Sequence, residues 1–272
     1  MVLPEELGDC AQDGDQDRVF AWLDAGGDIN DGDPQGCTLL CCCACGSYDD
    51  GEIGAPQMAL ARALLARGAD VNRAHSRPDS DDEDALIYGE GDTTLHIAAQ
   101  NSSTGCPDMI NLLIDAKANV NATCDGGKTP LWRALTQEAH HRFLSDRNEY
   151  GVKLRTVLDI VRVLLRHGAS LGCGSPALPN GDPLTFSVED KLATYKHADD
   201  ESVIAIKAIV AGVREHGTYK KYMRAPHREF LALRGLAQRG KLSTEHRALN
   251  FIAKLGERGV VWHILTYWRP TE

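Results

Sequence analysis

Residues 91–121 read GDTTLHIAAQNSSTGCPDMINLLIDAKANVN, and the reading of this stretch decides the fold. Thr93 and Thr94 precede a short apolar run, and either hydroxyl could cap a helix by accepting a backbone N–H. Ile97, Ala98 and Ala99 give that helix a side of small residues on which a second helix can approach closely. Met109, Leu112 and Leu113 recur at helical spacing and predict an amphipathic helix over residues 108–116. Ala118, Asn119, Val120 and Asn121 then close the unit in an extended turn.

Thr94-Leu95-His96 matches a T-P-L-H signature with Thr in the Pro place, and residues 118–121 match A-D-V-N. On these residues the stretch resembles the ankyrin repeat. The resemblance implies an all-α solenoid of helix-turn-helix units joined by extended turns, with a period of about 33 residues. Carried along the chain, that period finds four further candidates. The first unit is truncated, with Cys10-Ala11 in the two-alanine place, Gly14 as the glycine, and Gly27-Asp28-Ile29-Asn30 as its close. The second opens at Thr38-Leu39-Leu40 and closes at Ala69-Asp70-Val71-Asn72. The fourth opens at Thr129-Pro130-Leu131 and closes weakly at Ala169-Ser170-Leu171-Gly172. A degenerate fifth starts at Asp182-Pro183-Leu184. Residues in excess of the period place insertions near 46–56, 73–91 and 137–156.

Within the units, Leu60, Ala63 and Leu64 share one face of a helix that stops at Gly68, where a left-handed cap fits. Val157, Ile160, Val161, Leu164 and Leu165 share one face of another that stops at Gly168. Beyond about residue 190 the period fails, so the chain divides into an ankyrin domain, 1–190, and a C-terminal helical region, 191–272. In that region Val203, Ile206, Val210 and Val213 form one stripe over 199–216. Pro226 suits a first helical position and opens a basic helix to about 239. Ser243 or Thr244 caps another, and residues 260–268 form an apolar last helix. YMRAPHREFLALR and VVWHILTYWR are similar to tails attached to some algal ankyrin proteins. The tail is expected to pack on the last repeat and cap it, because an uncapped end exposes apolar surface.

The formal net charge is −10, unevenly divided. Residues 1–190 hold 14 basic and 31 acidic side chains, net −17, and residues 191–272 hold 15 and 8, net +7. Such asymmetry separates two pieces of different role. No apolar run is long enough for a membrane span. The start MVLPEELGDC has neither a basic n-region nor an apolar h-region, so a cytoplasmic or nuclear protein is expected. Nine cysteines are then expected as reduced thiols. The sequons at Asn101 and Asn121 are read as chance matches.

Cys37, Cys41, Cys42, Cys43 and Cys45 form a cluster containing a C-x-x-C. Zinc would need a second such pair, and a thioredoxin-type site would need a preceding strand; neither is present. Cys10 and Cys43 fall where the repeat keeps a small buried residue, so structural thiols are expected and no cofactor or metal is assigned. Asp13-Gly14-Asp15-Gln16-Asp17 resembles a calcium loop, but Arg18 stands in the glycine place and Asp24 replaces the bidentate Glu. Ser80-Asp81-Asp82-Glu83-Asp84 reads as a solvated run that could draw a basic partner. Lys220, Lys221, Arg224, Arg228, Arg234, Arg239 and Lys241, with Tyr219, Tyr222 and Phe230 interleaved, could meet nucleic acid, but the apolar stripe of this tract must face a core and its charge suits docking on the acidic repeats, so nucleic acid is not the expected partner. The resemblance implies that His96 hydrogen-bonds within its own turn and to adjacent turns; Trp132 takes the same place in the fourth unit. No nucleophile-base set, phosphate loop or H-E-x-x-H is present, so no enzyme is expected.

The expected function is a non-catalytic, monomeric protein-binding scaffold. In the resembling family ligands lie across the concave face, built from turn tips and exposed positions of the first helices. By the repeat register that face comprises Cys42, Ile97 and Arg133 in one row and Cys45, Gln100 and Thr136 in the next. Turn tips add Asp31, Asp33, Asp125 and Lys128, and a basic partner is favoured. Two alternatives differ in class: a substrate adaptor for ubiquitin ligation recruiting through the C-terminal helices, and nucleic-acid binding through the basic C-terminal region.

Overall fold

A computed structural model describes residues 3–34, 36–47, 53–75, 91–100, 106–124, 127–136, 147–172, 187–193, 199–225 and 228. The chain divides into two compact units, Met1–Val210 and Ala211–Glu272.

The first unit is a row of helix pairs: α1 (Glu5–Asp13) with α2 (Gln16–Asp24), α3 (Leu39–Cys45) with α4 (Ala55–Ala66), α5 (Thr94–Gln100) with α6 (Pro107–Asp115), and α7 (Pro130–Ala134) with α8 (Arg147–Arg166). Then come α9 (Val188–Ala193) and α10 (Glu201–His216), the latter ending in the second unit. The first helices stack on one another, α1 on α3, α3 on α5, α5 on α7 and α7 on α9. Small or compact side chains permit this approach. Cys10-Ala11, Cys43-Ala44, Ala98-Ala99 and Ala134-Leu135 occupy one register position and are all buried. The second helices add the wider apolar faces: Leu60 and Leu64 from α4, Met109, Ile110 and Leu113 from α6, and Ile160, Val161 and Leu164 from α8 are fully buried. Each such side chain contributes about 1.5–3 kcal/mol relative to exposure.

Local chemistry sets the ends of these helices. The Thr38 and Thr129 hydroxyls accept from the N–H groups of Cys41 and Trp132, both at 3.3 Å. Ser187 and Asp190 close α9 reciprocally: Ser187 Oγ accepts from Asp190 N–H at 3.1 Å, and the Asp190 carboxylate accepts from Ser187 N–H at 3.1 Å. Those Ser187 bonds hold the exposed Asp190 carboxyl below its ordinary pKa. In α5, Thr93 stands outside the helix and Thr94 inside it, with Thr94 Oγ1 turned to Cys41 Sγ at 3.3 Å. Gly14, between α1 and α2, has φ 76°, and a Cβ there would come 2.6 Å from Pro56 at the start of α4. Asp15 caps α2 by accepting from Arg18 N–H at 3.2 Å, so the acidic loop read beside a calcium pattern is here a helix junction.

Among the described residues there is no strand, only isolated antiparallel bridges at Gly32–Thr38 and Ala74–Thr93. The base of each extended turn is hydrogen-bonded: Asp33 N–H to Cys37 O at 2.9 Å, His75 N–H to Asp92 O at 2.7 Å, and Cys124 N–H to Lys128 O at 3.1 Å. In the middle turn this pairing stands on either side of residues 76–90, so the long insertion leaves the base of its turn intact. Part of the third predicted insertion is helix, because α8 begins at Arg147 rather than near 157. Likewise α4 begins at Ala55, inside the insertion placed near 46–56, with Gln57 Oε1 accepting from Gly54 N–H at 3.0 Å.

A second set of bonds runs along the turns from unit to unit. Asn30 Oδ1 accepts from Asp70 N–H at 2.8 Å, Asn72 Oδ1 from Asn119 N–H at 2.8 Å, and Asn121 Oδ1 from Ser170 N–H at 2.7 Å. Asn72 Nδ2 donates to Lys117 O at 3.1 Å and Asn121 Nδ2 to Gly168 O at 3.2 Å. Within each turn the residue two before the Asn accepts its N–H: Asp28 for Asn30, Asp70 for Asn72 and Asn119 for Asn121. The result is one continuous ladder from Asp28 to Gly172, where the side chains run out.

In α10 the predicted stripe is buried: Val203, Ile206, Val210 and Val213 are at most 6% exposed. The fifth repeat start at 182–184, the helices predicted at 226–239, after 243 and at 260–268, and the acidic run 80–84 lie outside the described residues.

The ladder makes an ordered prediction. Asn72→Ala and Asn121→Ala each remove an accepting and a donating bond and should each lower unfolding free energy by about 1–3 kcal/mol. Asn30→Ala removes one bond across a junction and should cost about half as much. Urea unfolding of the three variants checks the order.

Candidate functional site

The predicted concave face divides once its side chains are placed. Asp31, Asp33, Cys45, Gln100 and Lys128 are half-buried and face solvent in part. Cys42, Ile97 and Thr136 are buried, at 2%, 0% and 6% exposure. Their expected exposure is therefore corrected. α3 and α5 are only seven residues long and are packed by helices on several sides, α3 by α1, α4 and α5, and α5 by α3, α6 and α7. Neither has a face left over. Asp125 lies outside the described residues.

Arg133 is corrected in a different way. Its guanidinium turns inward and grips the Asp92 carboxylate with two bonds, Nε to Oδ1 at 3.1 Å and Nη2 to Oδ2 at 2.7 Å. The Asp92 side chain is 0% exposed and that of Arg133 11%. Such a fork-to-fork pair is the strongest arrangement for these two groups. Arg133 Nη2 also points at Cys124 Sγ, 3.7 Å away. Burial, and then the neighbouring Asp92, push the Cys124 thiol up to about 11, so it remains a thiol at neutral pH.

His96 completes this polar junction between the third and fourth units. Its Nδ1 accepts from Thr93 N–H at 3.1 Å and lies 2.9 Å from the Thr93 hydroxyl. That fixes the tautomer: Nε2 carries the proton and donates to Lys128 O at 3.1 Å, in the next turn. The predicted tie within and between turns is present. Burial holds His96 below the usual histidine range. In the fourth unit Trp132 stands in this place, with Lys128 Nζ 4.8 Å and Lys191 Nζ 5.4 Å from its ring. That is a cation–π contact to α9.

Asp92, His96 and Cys124 bring ligand atoms within 4.8 Å of one another, the one such group among the described residues. As a donor set it suits a transition metal. Every one of those atoms already has a protein partner, however, and the Arg133 guanidinium supplies the positive charge that the Asp92 carboxylate needs. The group fits a structural junction rather than a cation centre. Sequence reading missed it because Asp92 and Arg133 are 41 residues apart, each beside a different repeat signature, and periodicity does not pair side chains across units.

The Cys37–Cys45 cluster is buried except for Cys45, whose thiol donates to Cys41 O at 3.2 Å. Desolvation raises the pKa of Cys37, Cys41, Cys42 and Cys43. Cys10 and Cys43 are free thiols, 5% and 0% exposed.

Two measurements test the junction. Arg133→Met leaves the Asp92 carboxylate buried without its partner and should cost about 3–5 kcal/mol, with much of the loss recovered when Asp92→Asn is added. Chemical unfolding of the two single variants and the double variant gives this coupling. His96 is a base held neutral in the fold, so the unfolded chain takes up its proton first as the pH falls. Its contribution is full above pH ~6.5 and is lost as pH drops below that, by up to about 1.4 kcal/mol per pH unit. Unfolding at pH 7.5 and 5.5 should show this slope in the wild type and a smaller one in His96→Gln.

Residues 57–174 match the family profile described as ankyrin repeats, in three copies. No curated protein matches the chain. Ankyrin repeats are in general protein–protein interaction modules and typically non-catalytic, and no helix among the described residues is long and apolar enough to cross a membrane. The stacked helix pairs, the hydrogen-bonded turn bases and the His96 tie agree with that match, and residues 57–174 carry ankyrin repeats.

Proposed function

We propose that the repeats act as a non-catalytic scaffold that binds a basic protein segment across the turn tips and the half-exposed ends of the first helices. The observation that carries this reading is the division of the concave row. Cys42, Ile97 and Thr136 are buried and Arg133 is turned to Asp92, whereas Asp31, Asp33, Cys45, Gln100 and Lys128 are partly exposed to solvent. Asp9 on α1 is exposed and adds to the acidic character of the first turn. A Cβ at Gly8 would lie 3.4 Å from Asp33 Oδ2, so α1 and the turn tip adjoin and present their carboxylates together. A negative surface draws a positive partner mainly by speeding encounter. Mixed polar, thiol and carboxylate groups suit a protein rim better than an enclosed small-molecule pocket.

The test is capture of partners by the full chain, identification by mass spectrometry, and titration of the captured protein. Asp31→Lys with Asp33→Lys should weaken binding by about tenfold or more, mostly through a slower association rate. Lys128→Glu should change affinity less, because Lys128 is partly engaged with the Trp132 ring. Equal affinity of the Asp31/Asp33 double variant, with its fold shown intact by circular dichroism, would remove the first turn from the site.

A further inference from the structure

The second unit carries a surface that the repeats do not account for. α10 ends at Gly217, whose φ of 82° turns the chain. Thr218 then starts a new helical stretch at 219–225, its hydroxyl accepting from Lys221 N–H at 3.2 Å and its carbonyl from Tyr222 N–H at 2.9 Å. The corner is locked from inside. Gly212 is buried against Tyr222, and a Cβ at Gly212 would overlap that ring. His216 stacks on Tyr222 with ring centroids 6.1 Å apart and planes at 27°, and Tyr219 tilts against it at 6.4 Å and 50°.

The outside of the corner is cationic. Arg214, Lys220, Lys221, Arg224 and Arg228 are exposed, and Glu215 is the one acidic residue between 214 and 228. Lys220 and Arg224 stand four residues apart on the stretch 219–225, so they share one side of it roughly 6 Å apart along its axis. His216, Tyr219 and Tyr222 are half-exposed beside it.

We propose that this corner, residues 214–225, binds single-stranded nucleic acid, with its exposed cations on the phosphates and Tyr219 offering a ring for a base to stack on. Three observations select that partner. Stacking rings set among cations are what sequence-tolerant single-strand binding uses. A membrane surface would call for an exposed apolar helix face, whereas Ile204, outside the corner, is the one exposed large apolar side chain among the described residues. The rings of His216, Tyr219 and Tyr222 already sit together at the corner, so less order has to be gained on binding.

The experiment is fluorescence anisotropy of a labelled oligothymidylate of roughly 15 nucleotides with the full chain, from about 50 to about 200 mM salt. Affinity should fall linearly on a log–log salt plot, with a slope of about −0.7 per phosphate contacted. Lys220→Glu, Lys221→Glu and Arg224→Glu together should abolish measurable binding. Tyr219→Ala should cost about fivefold or more without changing the slope, because a stacked base is worth about 1–3 kcal/mol. Absence of binding at the lowest salt, or a charge-reversed variant that binds as the wild type does, overturns the proposal. So does Tyr219→Ala binding unchanged, which would leave a ring-independent polyanion surface. Co-sedimentation with phosphatidylserine vesicles that is stronger than oligonucleotide binding would assign the corner to a membrane instead. None of these outcomes depends on the partner of the repeats.

Discussion

An asparagine amide accepts one hydrogen bond and donates another at once, and this solenoid depends on that double capacity. Each repeat leaves backbone N–H and C=O groups without a partner in its own helix where the second helix ends, and a side chain that pairs them contributes a modest net amount even at an exposed turn. Asn72 accepts from Asn119 N–H and donates to Lys117 O, and Asn121 repeats the pattern against Ser170 and Gly168. The neighbour's backbone is thus satisfied by a side chain, and each turn is positioned only when the unit before it is in place. Apolar stacking of the first helices gives the row its stability, and the asparagines fix its register.

The ladder also explains why the fourth unit differs. Gly172 stands where Asn72 and Asn121 stand in earlier units, so no side chain reaches forward. Trp132 likewise replaces the histidine that ties the third unit to the fourth. Different chemistry takes over there: Lys128 and Lys191 lie near the Trp132 ring, and α9 packs on α7. A cation over an indole is less directional than an imidazole N–H on a carbonyl, which suits a junction where the repeat pattern is giving way.

Much of this was legible in the sequence. The period located the helix pairs, the paired small residues named the stacking face, and Asn30, Asn72 and Asn121 were visible as closing residues. The concave row was less legible. Periodicity tells which residues share a face, but short helices packed on several sides have no outer face, so Ile97 and Cys42 went to the core. Arg133 was misplaced for a related reason. Its partner Asp92 lies one unit away, and no local pattern signals a pair made across that distance. Helix starts were the other gap: α8 runs back to Arg147 across Gly151, and an insertion measured by length alone does not reveal its conformation.

The Asp92–Arg133 pair has a consequence for how such an array can grow. Repeat proteins lengthen when one unit is copied beside itself. A second copy of the third unit would set the Asp92 carboxylate opposite the residue equivalent to Ile97, in the place that Arg133 now fills. A carboxylate buried against an isoleucine carries a penalty of several kcal/mol. Units three and four are therefore a matched couple, and a duplication that separated them would leave that carboxylate without its guanidinium unless a second substitution supplied one.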